Sequence, residues 1–239
     1  MPRNSPYTLE ICVGSPAGIA ASARVADRIE LCGALRLGGL TPDIGMMEFA
    51  AAAGVETHAL IRPRSGDFKM APEDIAVAVS SIRAARLIGL KGVVIGAERD
   101  GALDRSALDA MVAATDGLDV TLHRVIDVVD DPVAALEMAI DLGAVRVLTS
   151  GAALTAEQGI AGLNRLYAAA AGRIEIMAGG GINSANLAQI MAATEITSFH
   201  ASCSAHAPLD QRYVQFGFGE TTQTLDVEEL ARLSGVCIR

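Results

Sequence analysis

The chain is poor in aromatic residues and in positive charge. It has no tryptophan, and its five phenylalanines and three tyrosines make up only 3% of 239 residues. Lysine and arginine number 19 against 28 aspartates and glutamates, which gives a net charge of −9. Nucleic acids and anionic membrane surfaces are bound through basic patches, so neither is expected as a partner.

Long apolar runs are also missing from the sequence. There is no stretch of 18 uninterrupted apolar residues, so no membrane-spanning helix is predicted. The first residues, MPRNSPYTLE, contain no apolar signal segment, and a cytoplasmic protein is expected. In that compartment the four cysteines are expected to be free thiols rather than a disulfide framework.

Apolar residues are abundant, at 51% of the chain, and eight short apolar segments alternate with helix-like stretches. The segments cover residues 8–13, 28–33, 56–63, 92–96, 120–127, 146–151, 174–181 and 198–203. This alternation predicts an α/β protein with a parallel sheet, and eight units in this length predict a single-domain TIM-type (β/α)8 barrel over residues 1–204. Residues 205–239 are expected to form a short, irregular C-terminal extension with a helix near 226–233. The extension carries Tyr213, Phe216 and Phe218, and we expect it to pack on the barrel or on a partner subunit.

Polar side chains recur at lumen-facing positions of the predicted strands. Alternate side chains of a barrel strand point into the lumen, which Val, Ile and Leu normally fill. The first two strands share a Glu-x-Cys pattern that turns both glutamates and both cysteines inward, and later strands add an arginine and three histidines, His58 among them. Five of these residues are candidate catalytic groups at the carboxyl end of the barrel: Glu10, Glu30, Arg62, His123 and His200. A closed network of buried ion pairs is the alternative.

Cys12 and Cys32 occupy matched positions on neighbouring predicted strands. Adjacent strands lie about 4.8 Å apart, so the two thiols could hold one soft ion. Cu(I) suits two thiolates, whereas Zn(II) would need further ligands such as His or Glu. Alternatively, both cysteines are small apolar residues buried in the core.

Two further segments are candidate anion sites. Gly179, Gly180 and Gly181 follow the seventh strand and are expected to open a helix whose amide groups bind an anion, with Ser202 contributing a hydroxyl. A tight turn that requires glycine is the alternative. After the third strand, Arg64 is placed with Arg62 to bind a carboxylate or phosphate, although Arg64 is equally expected to be solvated.

Seven segments in chain order resemble the CutC family of copper homeostasis proteins: LEICV, DRIELCGALRLGGLTP, IRPRSGDF, LHRVID, RVLTSG, MAGGGI and FHAS. The resemblance covers residues 8–204. It implies a TIM-type barrel, a cytoplasmic protein that forms a homodimer or a higher oligomer, and copper(I) bound by Cys12 and Cys32. The sequence departs from the family at Ser65, where a second glycine is frequent.

Three functions are therefore compared. The first is cytosolic binding and buffering of Cu(I) through the paired cysteines. The second is a barrel enzyme acting on a small anionic metabolite, phosphorylated or not. In this enzyme, Arg62 and the glycine loop bind the anion, and His123 or a glutamate transfers a proton to or from the substrate. The third is a non-catalytic scaffold whose polar interior is satisfied internally.

Overall fold

The fold is described from a computed structural model that places residues 5–237. Its strands are β1 (Thr8–Val13), β2 (Arg28–Leu31), β3 (Glu56–Leu60), β4 (Gly92–Ile95), β5 (Glu98–Arg99), β6 (Ala102–Leu103), β7 (Asp119–Leu122), β8 (Arg146–Thr149), β9 (Glu175–Gly179), β10 (Ser198–Ala201), β11 (Ser204–Pro208) and β12 (Thr221–Leu225). Its helices are α1 (Pro16–Ser22), α2 (Ile44–Ala52), α3 (Pro72–Ile88), α4 (Arg105–Val112), α5 (Pro132–Asp141), α6 (Ile160–Ala170), α7 (Leu187–Ala193), α8 (Gln211–Gln215) and α9 (Val227–Cys237).

Eight parallel strands close into a barrel in the order β1, β2, β3, β4, β7, β8, β9 and β10, and β10 pairs with β1. This confirms the predicted (β/α)8 fold. Helix starts follow local signals. Pro16 begins α1 behind the Ser15 cap, whose hydroxyl accepts a hydrogen bond from the Gly18 amide at 3.1 Å. Within the described part of the chain, no helix is both long and apolar enough to cross a membrane.

Alternate side chains of the barrel strands point into two different buried regions, the core between sheet and helices and the lumen. Leu9, Ile11, Ile29 and Leu31 are fully buried in the large core between sheet and helices. The opposite side chains face the lumen, where a separate small apolar cluster consists of Cys12, Cys32, Leu60 and Val94, with Leu35 packed against it. The predicted inward orientation of both cysteines therefore agrees with the structure.

The fifth predicted barrel strand, over 120–127, is too long. In the structure β7 ends at Leu122, and a 3-10 helix covers Arg124–Asp127. The His123 side chain caps this helix by accepting a hydrogen bond from the Val125 amide at 3.1 Å. A side chain that bonds to nearby backbone competes with the strand ladder, and this capping contact lies where the strand ends.

The C-terminal extension is not irregular as predicted. β11 and β12 pair as an antiparallel hairpin with α8 between them, and exposure alternates along both strands. Threonines at alternate positions of β12 favour this pairing. The final helix α9 extends to Cys237, beyond the predicted end, and packs against β1 and α7. Phe216 and Phe218 remain exposed, and the expected dimer stays a prediction.

Two helical glycines give opposite predictions for substitution by alanine. A Cβ at Gly162 in α6 would lie 2.0 Å from the Gly151 carbonyl oxygen, whereas a Cβ at Gly235 in α9 would meet no atom within 4 Å. We expect Gly162→Ala to lower the free energy of unfolding by about 1–3 kcal/mol through overpacking. Gly235→Ala should raise it by about 0.5–1 kcal/mol through helix propensity. Urea unfolding measures both, and equal effects would contradict this packing.

Candidate functional site

A cavity of ≈ 280 Å³ opens at the carboxyl end of the barrel. Seven of the predicted site residues line it: Cys12, Glu30, Cys32, Arg62, His123, His200 and Ser202. They come from the ends of five different strands or from the residues that directly follow them. The convergence expected from strand alternation is therefore present at the end of the barrel where enzymes of this fold carry their active sites.

Glu10 lies just beneath the cavity and is completely buried. Its Oε1 is 2.7 Å from His200 Nδ1, and its Oε2 accepts a short hydrogen bond from Arg28 Nε. Burial alone would raise the pKa of Glu10, but the His200 hydrogen bond and the Arg28 charge hold that pKa well below its usual range. Glu10 is thus an ionised anchor for two cations from the neighbouring strands.

The two thiols are in contact, with 3.5 Å between Cys12 Sγ and Cys32 Sγ. The Cys32 hydrogen bond, with help from His200, lowers the pKa of Cys12 to about 5 in spite of burial. The same hydrogen bond, together with burial, raises the pKa of Cys32 well above its usual value. Cys12 is therefore the thiolate of the pair and Cys32 the thiol that donates to it.

Glu30 and His200 complete this polar cluster. Glu30 Oε2 lies 3.5 Å from Cys32 Sγ and 3.7 Å from His200 Nε2. Burial, and then the negative charge of Cys12, raise the pKa of Glu30. Burial opposes the charge on His200, yet its contacts with Cys12 and Glu10 raise the pKa of His200 well above its ordinary value. The cluster combines a thiolate, an imidazolium and a neutral carboxylic acid.

Several of these side chains could hold a metal ion together. Ligand atoms of Cys12, Glu30 and His200 all lie within 4.8 Å of one another, and Cys32 Sγ touches Cys12 Sγ. Two sulfurs and one imidazole nitrogen are ligands that favour soft or borderline ions, Cu(I) and Zn(II). The donor set therefore fits the copper ion predicted from the sequence.

Arg62 reaches the cavity but is already engaged. Its Nη1 donates to the carbonyl oxygens of Leu37 and Gly39, each at 3.0 Å, and its Nη2 donates to Gly66 at 2.6 Å. Its guanidinium carbon lies 5.2 Å from the centre of the Phe68 ring. Arg62 thus orders two loops around the mouth, and its two Nη groups have little capacity left for a bidentate anion.

His123 is a fixed neutral group rather than a proton acceptor. Its Nδ1 accepts the Val125 hydrogen bond, so the neutral ring carries its proton on Nε2. Burial, followed by the Arg62 charge, lowers the pKa of His123 to about 3. Its ring centre lies 4.6 Å from that of Phe68. A Cβ at Gly96 would lie 2.2 Å from the His123 ring, which explains the glycine at that position.

The predicted anion residues divide into two groups. Ser202 lines the cavity, and its hydroxyl lies 3.1 Å from that of Ser204. Arg64 lies outside the cavity on the exposed surface, where it pairs with Asp67 at 2.9 Å and Asp74 at 3.1 Å. Its cooperation with Arg62 in one anion site stays a prediction, and in the structure both carboxylates are paired with Arg64.

The glycine loop lies beside the cavity rather than lining it. Gly179 ends β9, Gly180 accepts a hydrogen bond from the Ala156 amide at 2.8 Å, and Gly181 lies against Thr155. The prediction that this loop opens a helix is wrong, because α7 begins only at Leu187. The Asn183 side chain accepts from the amides of Ala185 and Asn186 and forms a separate turn in between.

Sequence reasoning missed Arg28, Phe68 and Gln223 as members of this region. Arg28 has the same strand parity as Glu30 and Cys32, so one more step of the alternation would have found it. Phe68 follows Arg62 in a loop, and Gln223 comes from the C-terminal hairpin that covers one side of the cavity. Neither position carries a periodic signal, so the sequence alone did not reveal them.

The low pKa of His123 predicts a specific acid sensitivity. Its pKa is about 3 in the folded protein and about 6.5 in an unfolded chain, so between these values the unfolded state binds more protons. Stability therefore falls as the pH drops below about 6.5, with up to about 1.4 kcal/mol per pH unit from this residue. His123→Gln should flatten that slope in urea unfolding at pH 7, 6 and 5. His206→Gln, at an exposed position, should leave it unchanged. An unaltered slope in His123→Gln would contradict the assignment.

Comparison with known proteins places the chain in a family. The model of the CutC family matches residues 7–205. A CutC family protein of Sinorhizobium medicae is 47% identical over 213 residues, which cover 88% of this chain and 87% of that protein. The human copper homeostasis protein cutC homolog is 41% identical over 207 residues, or 85% of this chain and 75% of that protein.

A solved structure agrees with this relationship. The crystal structure of a CutC protein from Streptococcus agalactiae superimposes with a TM-score of 0.77 at 26% identity, covering 81% of this chain and 97% of that one. Sequence match and three-dimensional likeness thus extend over the same barrel that carries the cysteine pair, and the chain belongs to the CutC family.

Proposed function

We propose that this protein binds and buffers Cu(I) in the cytosol through Cys12 and Cys32. The observation that supports this proposal is the 3.5 Å contact between the two sulfurs at a cavity open to solvent. The human relative is named a copper homeostasis protein, which is consistent with it. Two thiolates are the preferred ligands of Cu(I).

The strand register favours an ion over a disulfide. Cys12 is paired with Glu30, so Cys32 lies two residues further along and diagonally across the strands. Diagonal neighbours in a sheet have Cα atoms about 7–8 Å apart, whereas disulfides join Cα atoms about 4.4–6.8 Å apart. At the spacing typical of this register a bridge would be strained, and the two sulfurs lie 3.5 Å apart rather than about 2.05 Å apart as in an S–S bond. An ion between the sulfurs spans this distance with small side-chain movements.

The chemistry of binding follows from the charges already present. The Cys12 thiolate offers a ready ligand, and Cys32 must release its proton when a metal ion replaces it as the partner of Cys12. Glu30, 3.5 Å from that sulfur, is already a neutral acid, so the proton leaves through the open cavity to solvent. His200, held by Glu10, keeps the negative charge of the thiolates compensated while the ion enters or leaves.

Replacement of both thiols tests the copper site directly. We expect Cys12→Ser/Cys32→Ser to weaken Cu(I) binding by at least about 100-fold, since soft thiolates select this ion. Titration of the reduced protein against a chromogenic Cu(I) chelator measures the affinity. Cys203→Ser is the matched control, because Cys203 is buried in the main core away from the cavity lining, and it should bind as tightly as the parent. Equal affinity in the double variant would refute the proposal.

A second candidate function is catalysis on a small anionic metabolite. The observation that favours it is the size and lining of the cavity, which at ≈ 280 Å³ exceeds the space needed by one ion and includes Arg124, Phe68 and Gln223. Arg124 is ion-paired with Asp127 at 2.8 Å and its Nη2 donates to the Ser150 hydroxyl at 2.6 Å, but its side chain is 39% exposed and lines the cavity, so an anion can reach it. Its position at the mouth makes it a better anion-binding candidate than Arg64.

Thermal stability in the presence of anions distinguishes the two functions. A ligand at 100 times its dissociation constant stabilises by about 2.7 kcal/mol, which corresponds to a rise in Tm of roughly 5–10 °C for a chain of this size. We expect a small carboxylate or phosphate ester to produce this shift in the parent and a much smaller one in Arg124→Gln. Arg105→Gln, which removes an arginine of the outer surface, is the control. No shift with any member of a broad anion library would argue against an enzyme site.

A further inference from the structure

A second polar cluster lies at the opposite, amino end of the barrel and has no part in the functions proposed above. It consists of Glu56 at the start of β3, His58 two residues later, and Asp119 at the start of β7. Ligand atoms of these three side chains all lie within 4.8 Å of one another. They border a surface depression of ≈ 500 Å³, which Glu56 and Asp119 line directly.

Local sequence brings the histidine and the aspartate together. β4 lies between β3 and β7, and the register sets His58, Gly92 and Asp119 side by side. A Cβ at Gly92 would lie within 2.6–2.7 Å of three atoms of the His58 ring. Only glycine therefore leaves space for the ring on the lumen side of β4, between its own strand and that of Asp119.

His58 is the independent sign that this cluster has a ligand. The side chain is fully buried, and neither ring nitrogen has a hydrogen-bond partner. Its Nε2 is 3.2 Å from Glu56 Oε1, without the angles of a hydrogen bond. An imidazole deprived of both partners is unfavourable, because a buried polar group without a partner loses its hydration with no compensation.

The spacing of the two atoms matches a shared metal ion. Two ligands about 2.1 Å from zinc, at angles between 90° and the tetrahedral value, lie about 3.0–3.4 Å apart. The observed 3.2 Å between His58 Nε2 and Glu56 Oε1 falls in this range. Asp119 is partly exposed, so its carboxylate can adjust to complete the set. One imidazole and two carboxylates are ligands for zinc and similar divalent transition metals.

The surrounding charges permit a cation here. Arg28 and Arg146 are the neighbouring guanidiniums, and each has its own carboxylate, Glu10 for Arg28 and Glu175 at 3.0 Å for Arg146. Arg28 Nη1 is 3.6 Å from Glu56 Oε1, and Lys91 borders the depression. Glu56 and Asp119 thus contribute two negative charges beyond those that compensate the arginines.

We propose that Glu56, His58 and Asp119 bind a divalent transition-metal ion such as Zn²⁺ at the amino end of the barrel. This site is separate from the cysteine pair, differs from it in having no sulfur among its ligands, and opens on the opposite face. The ion satisfies His58 and links the starts of β3 and β7, the two strands that flank β4 in the barrel.

The test is calorimetric titration of tag-free, metal-stripped full-length protein with Zn²⁺. The Cys12→Ser/Cys32→Ser background removes the thiol site, so failure of the copper proposal does not affect the result. We expect one Zn²⁺ per chain in this background, with affinity lowered about tenfold or more by His58→Gln and by Asp119→Asn. Asp119→Asn changes a partly exposed residue, so it keeps the test decisive if His58→Gln fails to fold.

Asp116→Asn is the matched control. Asp116 lies three residues before Asp119 in the chain, is 74% exposed and pairs with Arg86 instead. Its replacement should leave Zn²⁺ affinity unchanged. Absence of Zn²⁺ binding in the double-serine background, or equal affinity in the parent background and in both the His58 and Asp119 variants, would overturn the proposal.

Discussion

The buried carboxylate of Glu10 is the interaction on which the carboxyl end of this barrel depends. It lies on β1, accepts from Arg28 on β2 and contacts His200 on β10, so one anion joins the three strands at the seam where the barrel closes. An ionised group without partners in such an interior would be strongly unfavourable. Both cations are therefore needed, and through His200 this requirement fixes the position of the imidazole beside Glu30 and the thiols.

Charge alternates along the lumen as a consequence. Arg28 and Glu10 are followed by His200, and then by the Cys12 thiolate and the neutral acid of Glu30. The third function considered from the sequence, a scaffold with an internally satisfied interior, accounts for the Arg28–Glu10–His200 part of this series. It does not account for a thiolate at a cavity, nor for buried nitrogens of Arg62 and His123 that lack partners. Those features indicate that the cavity binds a ligand.

Strand period and chain order were enough to predict the barrel and seven residues that line the cavity. Both follow from local rules: alternation fixes which way Glu10, Cys12, Glu30 and Cys32 point, and parallel strands bring their carboxyl ends together. The errors arose where side chains bond to nearby backbone. His123 caps a 3-10 helix in the predicted strand, and Asn183 forms a turn in the predicted helix start. The partners of Arg64, Asp67 in its loop and Asp74 in the first turn of α3, could not be read from strand alternation.

The hairpin of β11 and β12 has a consequence for biogenesis. Gln223 lines the cavity, and Arg36 in the loop after β2 donates to the Thr221 carbonyl oxygen. Every strand of the barrel precedes this hairpin in the chain. During synthesis on the ribosome, all barrel strands and both thiols therefore emerge before the β11–β12 hairpin. Until that hairpin has emerged, the cysteines of the nascent chain are more accessible than those of the finished molecule.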